Sequence, residues 1–505
     1  MFTRFRRAGS RLSTRGAATK PSDFGQPTFL SHPHLVQPHE LTPGIPISDY
    51  QGRRRNLMDL LPEKSLVVSV SSPIKYIYKY RQASDFWYLT GFEEPDSAVI
   101  LGLSGAISSS RGYKMTLFCG GKNLAKEKWD GASTSLSSAK EIFNADDTML
   151  IDNFGSHLKS LLPKYHHVFV DIPNPLPKGS RNKPKSLLKY LAGPSATEHD
   201  GVIDSISGSM RRPLSPEIGK LRSIKSTAEQ TVMRQAAEIS AQAHAKTMRF
   251  TKPGLSEASL AAHFEYICAL RGSQRLAYVP VVASGPNSLI LHYTANNQLI
   301  EADELVLIDA GCEYNGYASD ITRTFPVSGT FSPPQRDLYS AILSAQKQMI
   351  ALCSAQHGYS LQDLHRKSCS VLKEELNQIG FNLGNEGDLE RILYPHSLSH
   401  PIGIGSLLHG FKGSPTDCFV VVDLHESAHV DRAAPLRAGM VITIEPGIYV
   451  PPSANFPSHF HNIGIRIEDE VLIGEEHPVV LSVSAPKEIV DVEGACQGVL
   501  GLEPY

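Results

Sequence analysis

The chain has 505 residues, with 49 Lys and Arg against 51 Asp and Glu, a formal charge of −2 and a pI near 6.9. That balance excludes a basic nucleic-acid coat, and no apolar run reaches the roughly 18 residues that a membrane-spanning helix needs. Hydrophobic residues make up 41%, enough at this length for two or three domains with sizeable cores.

The N-terminus carries Arg4, Arg6, Arg7, Arg11, Arg15 and Lys20 before the first acidic residue, Asp23. Phe2, Phe5 and Leu12 recur between the arginines at roughly helical spacing, with Ser10, Ser13 and Thr14 beside them. This is the composition of a mitochondrial transit peptide, and it lacks the apolar core of a secretory signal. Pro21 to Pro46 is crowded with Pro and His and reads as an extended leader, so residues 1–47 form a presequence and leader.

From Ser48 to Asp171 apolar runs such as Leu66 to Val70, Ala98 to Leu101 and Val168 to Val170 alternate with longer polar stretches, the pattern of an α/β domain. Pro173 to Arg212, rich in Pro, Lys, Ser and Gly, reads as a loop or linker, which closes this domain over residues 48–212. A capping box, Ser226 with Glu229, then opens a helix with Val232, Ala236, Ile239 and Ala243 on one face. Ser256, Ser332 before Pro333, and Ser360 with Asp363 open three more helices. Leu305 to Phe325, Val441 to Val450 and Ile463 to Ile473 read as strands, so residues 213–505 form an α+β domain. The chain's seven scattered cysteines contain no C-x-x-C pair and read as buried free thiols.

The sharpest chemical signal lies in Leu305 to Phe325. Asn315-Gly316 is a two-residue hairpin turn. Counting outward, Tyr314 faces Tyr317 and Gly311 faces Asp320, with Asp309 diagonal to Asp320 on the same sheet face. Diagonal Cα atoms lie roughly 7–8 Å apart, close enough for both carboxylates to hold one metal pair, with Gly311 leaving room for the ion. Two acids on one face repel unless a cation or proton separates them. His396, His400, Glu445 and Glu468 are further candidates, and Arg466 and Glu468 alternate with Ile463, Ile465 and Ile467, so they point to one side. His425-Glu426-Ser427-Ala428-His429 matches H-E-x-x-H, but its flanks are β-rich and end in Asp431 and Pro435, unlike the helix a zincin requires.

Leu-Ile-Asp309-Ala-Gly, Ser-Asp320-Ile-Thr-Arg-Thr-Phe, Pro-His396-Ser-Leu-Ser-His400, Ile-Glu445-Pro-Gly-Ile-Tyr449 and Gly-Ile-Arg466-Ile-Glu468-Asp stand in one order. Together they resemble the pita-bread metallopeptidases, in particular the aminopeptidase P branch. Tyr80 to Phe92 resembles that branch's N-terminal domain, so the resemblance runs from Ser48 to Val480. His32-Pro-His-Leu and Glu40-Leu-Thr-Pro-Gly-Ile, with the basic leader, are similar to its mitochondrial, intermediate-cleaving members. The resemblance implies an α/β N-terminal domain followed by a pita-bread catalytic domain that removes one N-terminal residue from imported proteins or peptides. Its implied ligands for two divalent ions are Asp309, Asp320, His400, Glu445 and Glu468, with Asp320 and Glu468 bridging. Four carboxylates and one imidazole make an oxygen-rich site that favours Mn²⁺. His292, His396 and His425 match the family's substrate-holding histidines, Glu445 is its candidate general base, and Tyr449 and Arg466 fit supporting positions. The same resemblance implies homo-oligomers. A strict Xaa-Pro aminopeptidase, a prolidase and an inactive pita-bread binding protein are the alternatives. The family runs almost directly from Ser-His-x-x-Gly to x-Asp-x-His, whereas here Gly405 to Val422 intervene, as an extruded loop or translated intronic sequence.

Overall fold

The computed structural model describes residues 22–505 apart from 73, 75–78, 103–110, 171–205, 385–386, 405–430, 501–502 and 504–505. The basic segment 1–20, most of the linker, the 405–422 insertion, His425 and the H-E-x-x-H segment therefore lie outside the described residues. The chain divides into two compact units, Met1–Leu214 and Ser215–Tyr505.

In the first unit, β1 (Glu40–Thr42) and β2 (Ile45–Pro46) form a small antiparallel pair ahead of helix α1 (Ile47–Leu60). A six-stranded sheet follows, built from β3 (Ser65–Val70), β4 (Ala98–Gly102), β5 (Lys114–Cys119), β6 (Asp147–Leu150), β7 (His167–Val170) and β8 (Arg211–Pro213). Their order is β6-β5-β4-β3-β7-β8. The three apolar runs read from sequence form β3, β4 and β7, which are buried because α2 (Ser84–Thr90) and α5 (Phe154–Leu161) pack on the sheet; α3 (Leu124–Asp130) buries none of its residues, and α4 (Leu136–Ile142) packs by β5 and β6. Arg211–Pro213, within the span read as a linker, is instead an edge strand parallel to β7. Its proline is tolerated there because an edge strand has one unpaired side.

The second unit opens with α6 (Ser215–Arg222), α7 (Thr227–Phe250) and α8 (Glu257–Leu270). All four helix starts read from sequence are realised, because each signal is local. Ser226 and Glu229 make a reciprocal capping box, and Ser256 caps α8 through the Ser259 N–H. Ser332 donates its N–H to Gln335 at the head of α9 (Pro333–Ala351), and Ser360 and Asp363 cap α10 (Leu361–Gln378). Between them lie β9 (Arg275–Leu276), β10 (Val281–Ser284), β11 (Leu305–Asp309), β12 (Cys312–Tyr314), β13 (Tyr317–Ala318) and β14 (Thr322–Pro326). After α10 come β15 (Val441–Ile444), β16 (Gly447–Val450), β17 (Ile463–Arg466), β18 (Asp469–Leu472), β19 (Val479–Val480) and α11 (Ile489–Gln497). The sheet β10-β11-β14 carries one edge of the site and β15-β18-β19 the other. One large core joins Ala236, Phe264, Val306, Ile308, Leu338, Ile342, Ile465 and Ile467 beneath them.

Five described cysteines, Cys119, Cys268, Cys312, Cys353 and Cys369, are buried free thiols, while Cys496 is half-buried. No helix among the described residues is long and apolar enough to cross a membrane.

Candidate metal centre

The hairpin register holds from both ends. Tyr314 pairs with Tyr317 and Asp309 with Thr322, so Gly311 falls opposite Asp320 and Asp309 diagonal to it. Asn315 and Gly316 adopt φ of 49° and 84°, the left-handed pair that a tight hairpin turn requires. Gly311, however, does not make room for an ion. A Cβ there would sit 1.8 Å from the Ser319 carbonyl oxygen, so the glycine admits the backbone of the opposite strand.

Asp320 follows β13, His400 lies in an extended segment, Glu445 immediately follows β15 and Glu468 sits between β17 and β18. Residues Leu398 to Ile402 run along β15 through bonds from Glu445 N–H to Leu398 O (2.9 Å), Thr443 N–H to His400 O (2.9 Å) and Ile402 N–H to Val441 O (3.1 Å). His400 is thus fixed by backbone pairing. Its Nε2 lies 3.3 Å from Asp320 Oδ2 and 3.6 Å from Glu445 Oε1. Candidate ligand atoms of Asp320, His400 and Glu468 all fall within 4.8 Å of one another. Asp309 joins through Tyr278, whose hydroxyl lies 2.5 Å from Asp309 Oδ1 and 2.6 Å from Asp320 Oδ1. All five residues predicted as ligands therefore converge on one pocket of the second unit.

The electrostatics of that pocket are those of crowded buried acids. Burial raises the Asp320 and Glu468 pKa values, and neighbouring carboxylates add to the rise. Burial likewise pushes Glu445 up to about 8, against the opposing pull of His400 and Arg466. Burial alone would depress His400, but the hydrogen bond to Asp320 and the charge of Glu445 lift it to about 9. Buried carboxylates that cannot all ionise on their own, with one imidazole among them, suit hard divalent cations.

Around the cluster a chain of hydrogen bonds is fully ordered in donor sense. Arg466 donates to Asp309 Oδ2 and to Tyr449 Oη, both at 2.7 Å. Tyr449 O–H then meets His396 Nε2 at 3.1 Å, and His396 Nδ1 meets Ser397 O at 3.0 Å. Nδ1 faces a carbonyl and must donate, which leaves Nε2 to accept from Tyr449. Burial and then the Arg466 charge lower the His396 pKa to about 3, so the ring stays neutral. His292 sits on an exposed rim of the second unit, its pKa lowered first by desolvation and then by Arg466.

Three residues escaped the sequence reading. Tyr278 carries no local signal. Thr322, whose hydroxyl donates to Glu468 Oε2 at 2.6 Å, and Glu470, which accepts the Asp320 N–H at 2.5 Å, do. Each lies two residues from a candidate ligand, so strand alternation alone would have placed it on the same face.

Fold and pocket together define a metal-dependent peptide hydrolase. The pattern of metallopeptidase family M24 matches residues 231–475, and that of the aminopeptidase P N-terminal domain matches residues 50–169. The chain is 37% identical over 476 residues to intermediate cleaving peptidase 55 of Schizosaccharomyces pombe, covering 93% of this chain and 91% of that one. It is 35% identical over 492 residues to Xaa-Pro aminopeptidase 3 of Homo sapiens, covering 94% and 90%. The crystal structure of Icp55 from Saccharomyces cerevisiae lacking its N-terminal 58 residues aligns with a TM-score of 0.78 at 34% identity, over 91% of this chain and 99% of that one. The chain belongs to metallopeptidase family M24, with an aminopeptidase P N-terminal domain and a pita-bread catalytic domain, and is an aminopeptidase.

Proposed function

We propose that this aminopeptidase works in the mitochondrion, where it removes a single residue from the N-termini of imported proteins after presequence cleavage. The observation that carries the reading is the convergence of Asp309, Asp320, His400, Glu445 and Glu468 in one pocket. Relatives named intermediate cleaving peptidase 55, one of them mitochondrial in Arabidopsis thaliana, support the substrate and the compartment, as does the basic leader. In the proposed organisation residues 1–47 are presequence and leader, 48–212 the N-terminal domain and 213–505 the catalytic domain.

Asp309, Asp320, His400, Glu445 and Glu468 would hold two divalent ions, Mn²⁺ by the hardness of the donor set. Such a pair lowers the pKa of water towards neutrality and stabilises negative charge on a carbonyl oxygen. The chain's own groups supply the remainder. Glu445, ionised once the cations are bound, takes the proton of the attacking water on a carboxylate oxygen and returns it to the leaving amine. His292, its pKa lowered by desolvation and by Arg466, binds the substrate backbone and donates N–H to the developing oxyanion, while the neutral His396 ring, its Nδ1–H on Ser397 O and its Nε2 on Tyr449, borders the substrate without a free donor. Arg466 and Tyr449 hold Asp309 and His396 in place. His425, assigned with the histidines on sequence, lies outside the described residues. An inactive binding protein is disfavoured because every ligand position is filled. Association of copies belongs to the same proposal and is tested by light scattering.

The test follows single-residue trimming of peptides beginning Tyr-Ser and Tyr-Pro by mass spectrometry, with full-length protein stripped by chelator and reloaded with Mn²⁺. Loss of one residue from Tyr-Ser, only after reloading, is the expected result. Cleavage of Tyr-Pro alone would replace the reading with that of a strict Xaa-Pro aminopeptidase, and no cleavage of either would remove the enzyme reading.

A further inference from the structure

Glu257, the first residue of α8, is fully buried, and its carboxylate is shared among five donors. Oε1 accepts from the Ser284 N–H at 2.9 Å, the Ser284 hydroxyl at 2.8 Å and the Asn287 amide at 3.0 Å. Oε2 accepts from the Tyr293 hydroxyl at 2.9 Å and the Gln298 N–H at 3.0 Å. In return, the Glu257 N–H donates to Gln298 O at 3.0 Å. All five donors stand on one stretch of chain, Ser284 to Gln298, and His292 lies in its middle.

Beyond Ser284, which ends β10, that stretch has one short 3₁₀ turn, Gly285–Leu289, and no ladder to fix it. It is fastened instead at its side chains. Ser288 accepts the Gly464 N–H of β17 at 3.0 Å, and Asn296 bonds Val282 N–H and Pro280 O. Burial pushes the Glu257 pKa up, but the donors from Ser284, Gln298 and Asn287 outweigh it, so the group is an ionised acceptor. Hydrogen bonds to a buried charge are strong and directional. None of the five donors belongs to α8, so the carboxylate serves the loop and not the helix cap, which Ser256 supplies.

We infer that Glu257 is a positioning residue for the proposed reaction, fixing the 284–298 loop that carries His292. The inference rests on the assignment of His292 to the substrate. It predicts that Glu257 acts on turnover through His292 and not through the ions.

The experiment is a double-mutant cycle on the full-length, Mn²⁺-loaded enzyme with Glu257→Gln, Glu257→Ala and His292→Ala, read as kcat and KM for single-residue trimming. A carboxamide keeps one accepting oxygen, so Glu257→Gln is expected to lower kcat about 10-fold and Glu257→Ala about 100-fold, with KM and Mn²⁺ affinity little changed. In the His292→Ala background neither change should cost more than about 2-fold further. A second readout is the NMR titration of the His292 ring, which Glu257→Gln should shift. Equal losses with and without His292, or an unmoved titration, overturn the inference. Full activity in His292→Ala together with a shifted titration would instead remove the His292 assignment and leave the loop anchor standing. Glu257→Gln keeps the test open if Glu257→Ala fails to fold.

Discussion

Tyr278 has one hydroxyl proton and two carboxylates within reach of it. Burial and the charges of Asp309 and Asp320 hold its pKa well above the ordinary tyrosine value, so it stays O–H and orients both acids without competing as an anion. Tyr278→Phe should therefore weaken cation affinity roughly 10- to 100-fold while leaving the fold intact, measured by calorimetric titration of the stripped protein. Asp320→Ala removes one of the proposed ligands and is expected to abolish trimming; retained turnover would refute the site assignment. A pH prediction belongs to the same residues. Glu445 and His400 have folded pKa values raised to about 8 and about 9, above their ordinary values of 4.5 and 6.5. The folded, metal-free protein therefore binds more protons than the unfolded chain between those limits, and its stability falls as pH rises from about 5 to about 9. Cation binding must expel those protons, so affinity strengthens over the same range. Melting with and without Mn²⁺ should diverge as pH rises, and parallel curves would count against the assignment.

At the scale of elements, what was legible in the sequence was local. The Asn315-Gly316 turn set a register that carries without slippage to Asp309 and Thr322, because every pairing follows from one two-residue turn. Capping boxes gave the helix starts for the same reason. The role of Gly311 was misread because its cause, the Ser319 carbonyl, arrives from across the hairpin. The least legible element is the buried cluster around Asp469. Arg323 donates to it from β14 at 2.7 Å, Gln346 from α9 at 2.8 Å and Lys487 at 2.5 Å, groups lying up to 146 residues from Asp469 in the chain. No spacing rule connects them. Both Arg323 and Asp469 are fully buried, so Asp469→Ala leaves an uncompensated charge and should cost about 3–5 kcal/mol. Burial works against the Asp469 carboxylate, but Arg323 and Lys487 hold its pKa down to about 2. Its stabilisation is thus present above about 4 and lost as pH falls through about 2. Chemical denaturation of the variant at pH 7 checks the magnitude, and a loss under about 1 kcal/mol would contradict it.

At the scale of the whole molecule, the leader is where sequence composition and packing part company. Pro and His crowd residues 21–46, and composition alone gave that span one extended character. Packing divides it. From Gln26 onward the segment belongs to the first unit: the Gln26 amide donates to Gly91 O at 2.9 Å and its carbonyl accepts the Glu93 N–H at 2.7 Å. Val36, Leu41 and Ile45 are then buried, scattered among prolines where no helical or strand period would show them. Fully burying such a side chain stabilises by about 1.5–3 kcal/mol each, an upper estimate for an unfolded chain that is already partly compact. Removing residues 1–47 should therefore lower the thermal midpoint by well over 5 °C relative to removing residues 1–21, if the domain folds at all. The proposed presequence cleavage is then expected upstream of Gln26, and N-terminal sequencing of the mature protein reads this directly. A mature chain beginning beyond Ile45 would mean that the leader packing is dispensable, and the two truncations should then melt together.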